Sequence, residues 1–502
     1  MFSLTSELNI GHGSDLGRIS MYLGLDLGTS GVKALLVDAD GRAVGSADAT
    51  YEVSNLAAGW SEQDPADWVA GIMDALSDLR GAHPKAFAAV RALSFSGHMH
   101  GAVMVDRVGA VLRPCILWND TRSHAEAAEM DADPVARAVS GNIVFPGFTA
   151  PKLAWVARNE PDVFARVARV MLPKDYLLWW LTGRYATEMS DAAGTAWLDV
   201  GARAWSEDLL TLGGMRRDQM PDLLEGTDVV GEVQAARADL GLPSGCKVVA
   251  GGADNAVAAC GVGALGEGDG FVSLGTSGVV LAGRGSYAPD ADSAVHTFCH
   301  AVPGRWYQMG VVLAATDCMN WLSRVTGQSA GDLSAALGDD LAAPGDVKFY
   351  PYLSGERTPH NDAQLRGGFT GLDVSSGPEA LTHAVMTGVS FALRDSFEAL
   401  KATGAHLPSA LAIGGGSRSD YWTRMLATVL NIPLERPHEG AFGAALGAAR
   451  IAMCGDTGAD PASIMTKPPI ADVIHPQADL TAAYDEAYAA FAGAYPKLKA
   501  MP

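Results

Sequence analysis

Apolar positions along this chain fall into short runs broken by glycine. Tyr22 to Asp26 reads as a buried strand, and Leu35, Leu36 and Val37 mark a second strand beyond the turn Gly28-Thr29-Ser30-Gly31. The pattern returns in the second half as Phe271 to Leu274, the turn Gly275-Thr276-Ser277-Gly278, and Val279, Val280 and Leu281. The repeat is far longer than a solenoid period, so it predicts two domain-sized halves of one duplicated α/β fold. Val248-Val249-Ala250 runs into Gly251-Gly252, and Leu411-Ala412-Ile413 into Gly414-Gly415-Gly416, giving two further strand-to-glycine transitions. Small-residue helical stretches follow them, Asn255 to Leu265 and Gly440 to Ala452, in which two helix backbones could approach closely at an interdomain crossing. Gly266 and Gly268 punctuate a hinge at Leu265 to Asp269.

The resulting division is an N-terminal extension over 1–20, a first domain over 21–265, a second over 266–455 and a tail over 456–502 with a terminal helix. In that tail Tyr484, Tyr488, Phe491 and Tyr495 recur at helical spacing, which predicts an aromatic face for core or docking contacts rather than a ligand box. The length of 502 residues agrees with two large domains.

A formal net charge of −21 repels phosphate backbones and anionic headgroups, so neither nucleic acid nor a membrane surface is an expected partner. An anionic substrate would need local donors and a divalent cation to overcome that field. Six dispersed cysteines without a CxxC pair predict reduced thiols in a cytoplasmic protein, and apolar stretches stop short of membrane-spanning length. Met1 to Ser20 lack the basic start and apolar run of a signal peptide and read as a disordered extension, with Met21 a candidate functional start.

A Gly-Thr-Ser-Gly turn between strands aims backbone N–H groups and two hydroxyls at one spot, a cradle for phosphate oxygens. The alternative is a tight hairpin with its glycines at positive φ; two copies in matched contexts favour the cradle. Asp26, at the mouth of the first turn, could hold Mg²⁺ bridging nucleotide phosphates, and Lys33 just beyond could neutralise the transferring group or be an exposed strand-end lysine. Asp254 emerges after Gly251-Gly252-Ala253 at a strand end and is the first choice for general base, with a helix N-cap the competing role. No GxxxxGK[ST] is present, and His438-Glu439 lacks the second histidine of a zinc helix. Gly261-Val262-Gly263-Ala264-Leu265-Gly266 satisfies GxGxxG but ends a helical stretch instead of opening one, which makes it a decoy.

Taken together these residues resemble the FGGY family of carbohydrate kinases, from Met21 to about Ala452. Met21 to Lys33 is similar to the family's opening phosphate hairpin, and Gly147 to Asn159, with Lys152 and Trp155, to a family signature. Gly59 to Pro65, Met99-His100-Gly101, Leu117 to Asp120, Ser190 to Thr195 and Leu353 to His360 are most similar to the members that phosphorylate xylulose. His98 stands where a glutamine is usual and reads either as a core histidine or as a substrate contact, while Thr387 replaces an acidic or amide residue.

The resemblance implies two domains of the ribonuclease H and actin type with ATP in the cleft between them. It implies that Met99, His100, Asn255 and Trp118 serve the sugar and that Asp254 is the base. Asp26, Thr29 and Lys33 would face the phosphates from one side and Gly275, Thr276 and Ser277 from the other, with Gly414, Gly415, Gly416 and Ser417 along the nucleoside and Asp420 extending that edge. The implied reaction is ATP- and Mg²⁺-dependent phosphorylation of D-xylulose, and a homodimer is what relatives suggest. Kinases of ribulose, a deoxy sugar, gluconate or glycerol are the nearer alternatives, and an actin-like ATPase the more distant one.

Overall fold

A computed structural model describes residues 20–438 and 443–500. The expected N-terminal extension, and the start of the second small-residue helix at Gly440, lie outside the described residues. Two mixed sheets carry the chain. The first contains β1 (Met21–Leu27), β2 (Gly31–Asp38), β3 (Ala43–Thr50), β4 (Val90–Gly97), β5 (Val229–Glu232) and β6 (Lys247–Ala253), in the order β5-β6-β4-β1-β2-β3. The second contains β7 (Gly270–Leu274), β8 (Gly278–Arg284), β9 (His296–Cys299), β10 (Trp306–Val312), β11 (Ala410–Ile413), β12 (Leu434–Pro437) and β13 (Ile470–Ile474), in the order β9-β10-β8-β7-β11-β12-β13.

The echo in the sequence is an echo in topology. Strand β1 pairs antiparallel with β2, which pairs antiparallel with β3, while β4 and then β6 lie parallel on its other side. Strand β7 repeats this with β8 and β10 antiparallel and β11 and β12 parallel. Parallel strands need crossovers, so both sheets are buried between helices.

Period-two alternation decides what covers each face of the first sheet. Leu23, Leu25 and Leu27 point to the side of helix α1 (Pro65–Ala82), packing with Trp68, Ile72 and Leu76. On the opposite side lie Tyr22 and Gly24, against a helix from the far end of the chain, α8 (Gly443–Thr457). A Cβ on Gly24 would stand 1.8 Å from the Ala445 carbonyl oxygen, so helix and strand meet backbone to backbone. Helix α8 also crosses α4 (Asp254–Val262) at the same closeness. Added Cβ atoms on Gly261 and Gly447 would stand 2.0 Å from Gly443 O and 1.9 Å from Val257 O.

One apolar cluster therefore runs from Tyr22, Leu35 and Val37 through Ala448, Ala449 and Cys260 to Phe271, Leu281 and Leu411 on the second sheet. Arg450 fastens the crossing by donating to the carbonyls of Cys260 at 3.2 Å, Gly261 at 2.9 Å and Thr466 at 2.9 Å. The expected interdomain crossing is present, but α8 serves the first sheet, although it follows the second in sequence. The GxGxxG match closes α4, with Gly263 as its left-handed cap at φ 71°.

From β13 onward the chain is part of the second unit, whereas Asp456, near the end of α8, still pairs with Arg91 and Lys247 of the first. Strand β13 extends the second sheet, and helix α9 (Ala478–Ala492) buries Tyr484 and Phe491 in the core with α6 (Pro378–Ala402) and α7 (Asp420–Leu430). Among the described residues no helix is long and apolar enough to cross a membrane, and all six cysteines are free and buried.

Gly447→Ala separates two opposed effects. Alanine favours a helix over glycine by about 1 kcal/mol, but a methyl 1.9 Å from a carbonyl oxygen that cannot rotate away costs about 3 kcal/mol. The substitution should lower the denaturant midpoint. Gly81→Ala, with nothing within 4 Å, should instead raise stability by about 0.5 kcal/mol.

Candidate active site

The candidate site lies where three parallel strands stop together. Asp26 on β1 is in register with Ser96 on β4, and Ser96 with Gly252 on β6, so Asp254 emerges one residue beyond the register pair Gly97 and Ala253. Two carboxylates from distant parts of the chain thus flank the end of β4, where open α/β sheets present reactive groups. Asp254 is the first residue of α4, and its Oδ1 accepts from the Asn255 backbone N–H at 2.6 Å and from Asn255 Nδ2 at 2.9 Å. The N-cap is Ala253, with no side-chain cap bond, so the competing N-cap role for Asp254 is not the one the structure shows.

Burial lifts the Asp254 carboxyl to about 6; the two Asn255 donors oppose the rise and the Asp26 charge adds to it. Asp26 is also raised by burial, with Ser96 and the Lys33 ammonium opposing. Lys33 pairs with Asp48 across β2 and β3 at 2.9 Å, on the partly exposed edge of the sheet, while its charge still reaches Asp26. Among the described residues no group of three or more His, Cys, Asp or Glu side chains could hold a metal. The donors present therefore fit a cation that brings most of its oxygen ligands as phosphate and water and needs one carboxylate such as Asp26.

Both glycine turns are as tight as expected, with Gly28 N–H donating to Gly31 O at 2.9 Å. None of Gly28, Gly31, Gly275 and Gly278 has positive φ, so the alternative reading of the glycines fails. Their requirement is space: a Cβ would meet Ala49 O at 2.5 Å from Gly31 and Leu393 Cδ2 at 2.9 Å from Gly278. The leading glycines instead face open ground, where a Cβ on Gly28 or Gly275 would meet only its own turn. Thr276 and Ser277 are exposed at the second tip, and at the first Thr29 Oγ1 accepts from Trp118 Nε1 at 3.0 Å. Trp118 thereby supports the phosphate turn, a role the sequence reading did not foresee beside its sugar-wall assignment.

Gly414, at φ 88°, lies so close to the second hairpin that a Cβ would stand 2.7 Å from the Leu274 carbonyl. Gly415, Gly416 and Asp420 line a cleft of about 580 Å³ with residues of α5 (Thr316–Thr326) and α7, a size suited to a nucleoside. Ser417 turns inward, donating to Gly414 O at 2.7 Å, and so shapes the glycine turn from within.

Met99 and His100 follow β4 in a turn where His100 takes φ 70°. His100 Nδ1 lies 2.7 Å from Gly194 O, and its carbonyl accepts from Lys152 Nζ at 2.7 Å and Thr149 Oγ1 at 3.2 Å. Lys152 is fully buried on α2 (Thr149–Asn159), and burial lowers its ammonium to about 7. The imidazole stacks on Phe148 at 4.7 Å, and Phe298 of the second sheet stands 6.3 Å away. Gly194 must be glycine, since a Cβ would meet His100 Cε1 at 2.5 Å and Met99 Cε at 2.7 Å. Tyr307 of β10 lies over Met99, its hydroxyl 4.0 Å from Sδ, so both sheets wall the site.

Other sequence blocks act behind this wall. Arg122 joins Asp120 and Glu62 in a buried network, each at 2.6 Å, with its guanidinium 3.7 Å from the Trp60 ring centroid. Ser190 Oγ accepts from the Ala253 N–H at 3.0 Å, and Asp191 sits in a fully buried cluster with Lys174, Asp175 and Glu188. His98 is buried but unsatisfied: neither ring nitrogen has a partner among the described residues, and its ring meets Trp68 edge-on at 5.6 Å. Thr387 is buried on α6, its hydroxyl 3.6 Å from Met425 Sδ. Sequence reasoning missed Lys152 as the support of His100, together with Phe148, Phe298 and Tyr307. Lys152 stood in the family signature, but the second-sheet aromatics carried no local signal.

Twin half-sheets of the actin type, two glycine turns and a buried aspartate at the strand ends, with both sheets contributing residues around Met99 and His100, are the frame of a sugar kinase. Residues 21–261 match the N-terminal domain of the FGGY family of carbohydrate kinases and residues 270–455 its C-terminal domain; the chain belongs to that family. It is 45% identical over 436 residues to the xylulose kinase of Escherichia coli, covering 86% of this chain and 89% of that protein. To the xylulose kinase of Klebsiella pneumoniae it is 43% identical over 485 residues, covering 96% and 100%. A crystal structure from Brucella ovis, described as a xyloylose kinase, superposes with a TM-score of 0.94 at 54% identity, covering 96% of this chain and all of that one.

If Asp254 is the base, kcat/KM should climb as its carboxyl ionises and reach half its plateau near pH 6. In Asp254→Asn the residual rate should lack that limb, while thermal unfolding at pH 8 shows no loss of stability, because the ionised carboxylate is the form that burial disfavours. A limb that persists in the variant assigns the titration to another group.

Proposed function

We propose that this chain transfers the γ-phosphoryl group of ATP to the O5 hydroxyl of D-xylulose, releasing D-xylulose 5-phosphate and ADP. The observation that carries the reading is the buried Asp254 carboxyl at the strand end beside Asp26, raised to about 6, whose charge is felt by Tyr307, the residue that lies over Met99. A base poised one unit below neutrality is ionised at working pH and still accepts a proton as the hydroxyl loses it. Similarity to named xylulose kinases over most of the chain supports the choice of sugar.

Phosphoryl transfer asks for alignment and charge stabilisation more than for covalent help. Asp254 takes the acceptor proton, and Asn255 holds Asp254 in position and stands beside the sugar hydroxyls. The backbone N–H groups of Thr29 and of Gly275-Thr276-Ser277 receive phosphate oxygens, with Lys33 adding positive charge from the first hairpin. Gly414 to Ser417 lie along the nucleoside. Mg²⁺ bound to the nucleotide and held by Asp26 would neutralise charge on the terminal phosphates. Dividing these donors between two lobes leaves the site complete only when the cleft is closed, which excludes water as an acceptor. The six buried thiols suit a reducing cytoplasm.

Coupled ADP release across a panel of ketoses and polyols tests class and substrate together. D-xylulose should give the highest kcat/KM and the sugar-free ATPase rate should be far lower; a sugar-independent rate equal to the kinase rate overturns the reading. Asp254→Ala should cost about 10²-fold or more in turnover.

A further inference from the structure

Within the Leu353 to His360 block, Arg357 is a partly exposed cation whose guanidinium holds no acceptor among the described residues. Its neighbours are engaged: Glu356 Oε1 accepts from the backbone N–H groups of Arg357 at 2.7 Å and Leu313 at 3.3 Å. Thr358 Oγ1 accepts from Val311 N–H at 3.0 Å and donates to Ala294 O at 3.0 Å. The Arg357 guanidinium lies 4.5 Å from the Phe145 ring centroid and makes no hydrogen bond or ion pair among the described residues. A guanidinium is never neutral and has only donors, so a recessed one without an acceptor has unmet hydrogen-bonding capacity.

Its surroundings say where that capacity is directed. Phe145 packs edge-on against Phe148 at 5.6 Å, and Phe148 stacks on His100. The Arg357 charge is felt by His100 and by buried His296, both held neutral by burial. Phe145, Phe148 and His100 thus form a continuous path of rings from Arg357, on the second lobe, to the wall of Met99 and His100. An acceptor whose reacting hydroxyl sits at Asp254 presents its opposite pole there.

We propose that Arg357 is a specificity-determining residue that donates to the carbonyl oxygen and adjoining hydroxyl at the non-reacting end of the ketose. The inference rests on the ketose reading above. A planar fork of N–H donors suits two neighbouring oxygens, and a carbonyl accepts more strongly than the hydroxyl of the corresponding pentitol. The loop carrying Arg357 belongs to the nucleotide lobe, so recognition of the far end of the sugar is tied to closure of the cleft.

The test compares wild type, Arg357→Lys and Arg357→Met for turnover of D-xylulose and for binding of D-xylulose and the matching pentitol by calorimetry. Arg357→Met should raise the D-xylulose KM about 100-fold, leave kcat at saturating sugar and the ATP KM within about threefold, and bind ketose no better than pentitol. Arg357→Lys should recover part of the ketose preference. Variants that keep the wild-type preference, or that lose kcat as well, overturn the inference alone. A wild-type enzyme that phosphorylates no ketose overturns the substrate reading and this inference with it.

Discussion

Everything in this active site depends on three parallel strands ending at one level. Because β1, β4 and β6 share a register, Asp26 and Asp254 meet although the chain between them is the length of a domain. Two carboxylates at such a point resist simultaneous ionisation, and burial strengthens the resistance. The same arrangement that raises the Asp254 and Asp26 carboxyls makes the strand ends receptive to cationic charge, such as that of Lys33.

The second half of the chain repeats the sheet but not the chemistry. Its turn has the same Gly-Thr-Ser-Gly sequence and its strands also pair antiparallel, but one residue tighter, with Leu274 opposite Gly278 where Leu27 stands opposite Val32; and Ser273 stands two residues before the turn, where the first half has Asp26. Duplication thus supplies two Gly-Thr-Ser-Gly turns, while Asp26 and Asp254 belong to one lobe. The other lobe contributes the nucleoside cleft beside Gly415 and Gly416, the aromatic wall of Phe298 and Tyr307, and the loop of Arg357.

Much of this was legible in the residues alone. The hairpins, the strand-to-glycine transitions, the Met99-His100 pair and Asp254 all announce themselves locally, because each is a short pattern whose geometry is fixed by its own backbone. Contacts between elements were not legible. That Lys33 pairs with Asp48 depends on the register of β2 against β3, an edge strand whose alternation rests on small alanines that mark the inner face only weakly. Lys152 beneath His100, and Trp118 on Thr29, depend on how elements from different parts of the chain pack. The small-residue helices did predict a close crossing, since only their glycines permit it, but not that α8 would serve the opposite lobe.

That last arrangement reaches into how the molecule comes to exist. During synthesis the face of the first sheet bearing Tyr22 and Gly24 has no cover until the ribosome has passed residue 457, for α8 is its lid. The leading half emerges with an apolar surface waiting on the trailing half, so the two lobes mature as a unit instead of in succession. Two lobes that divide the site between them are, in their assembly, a single interlocked object.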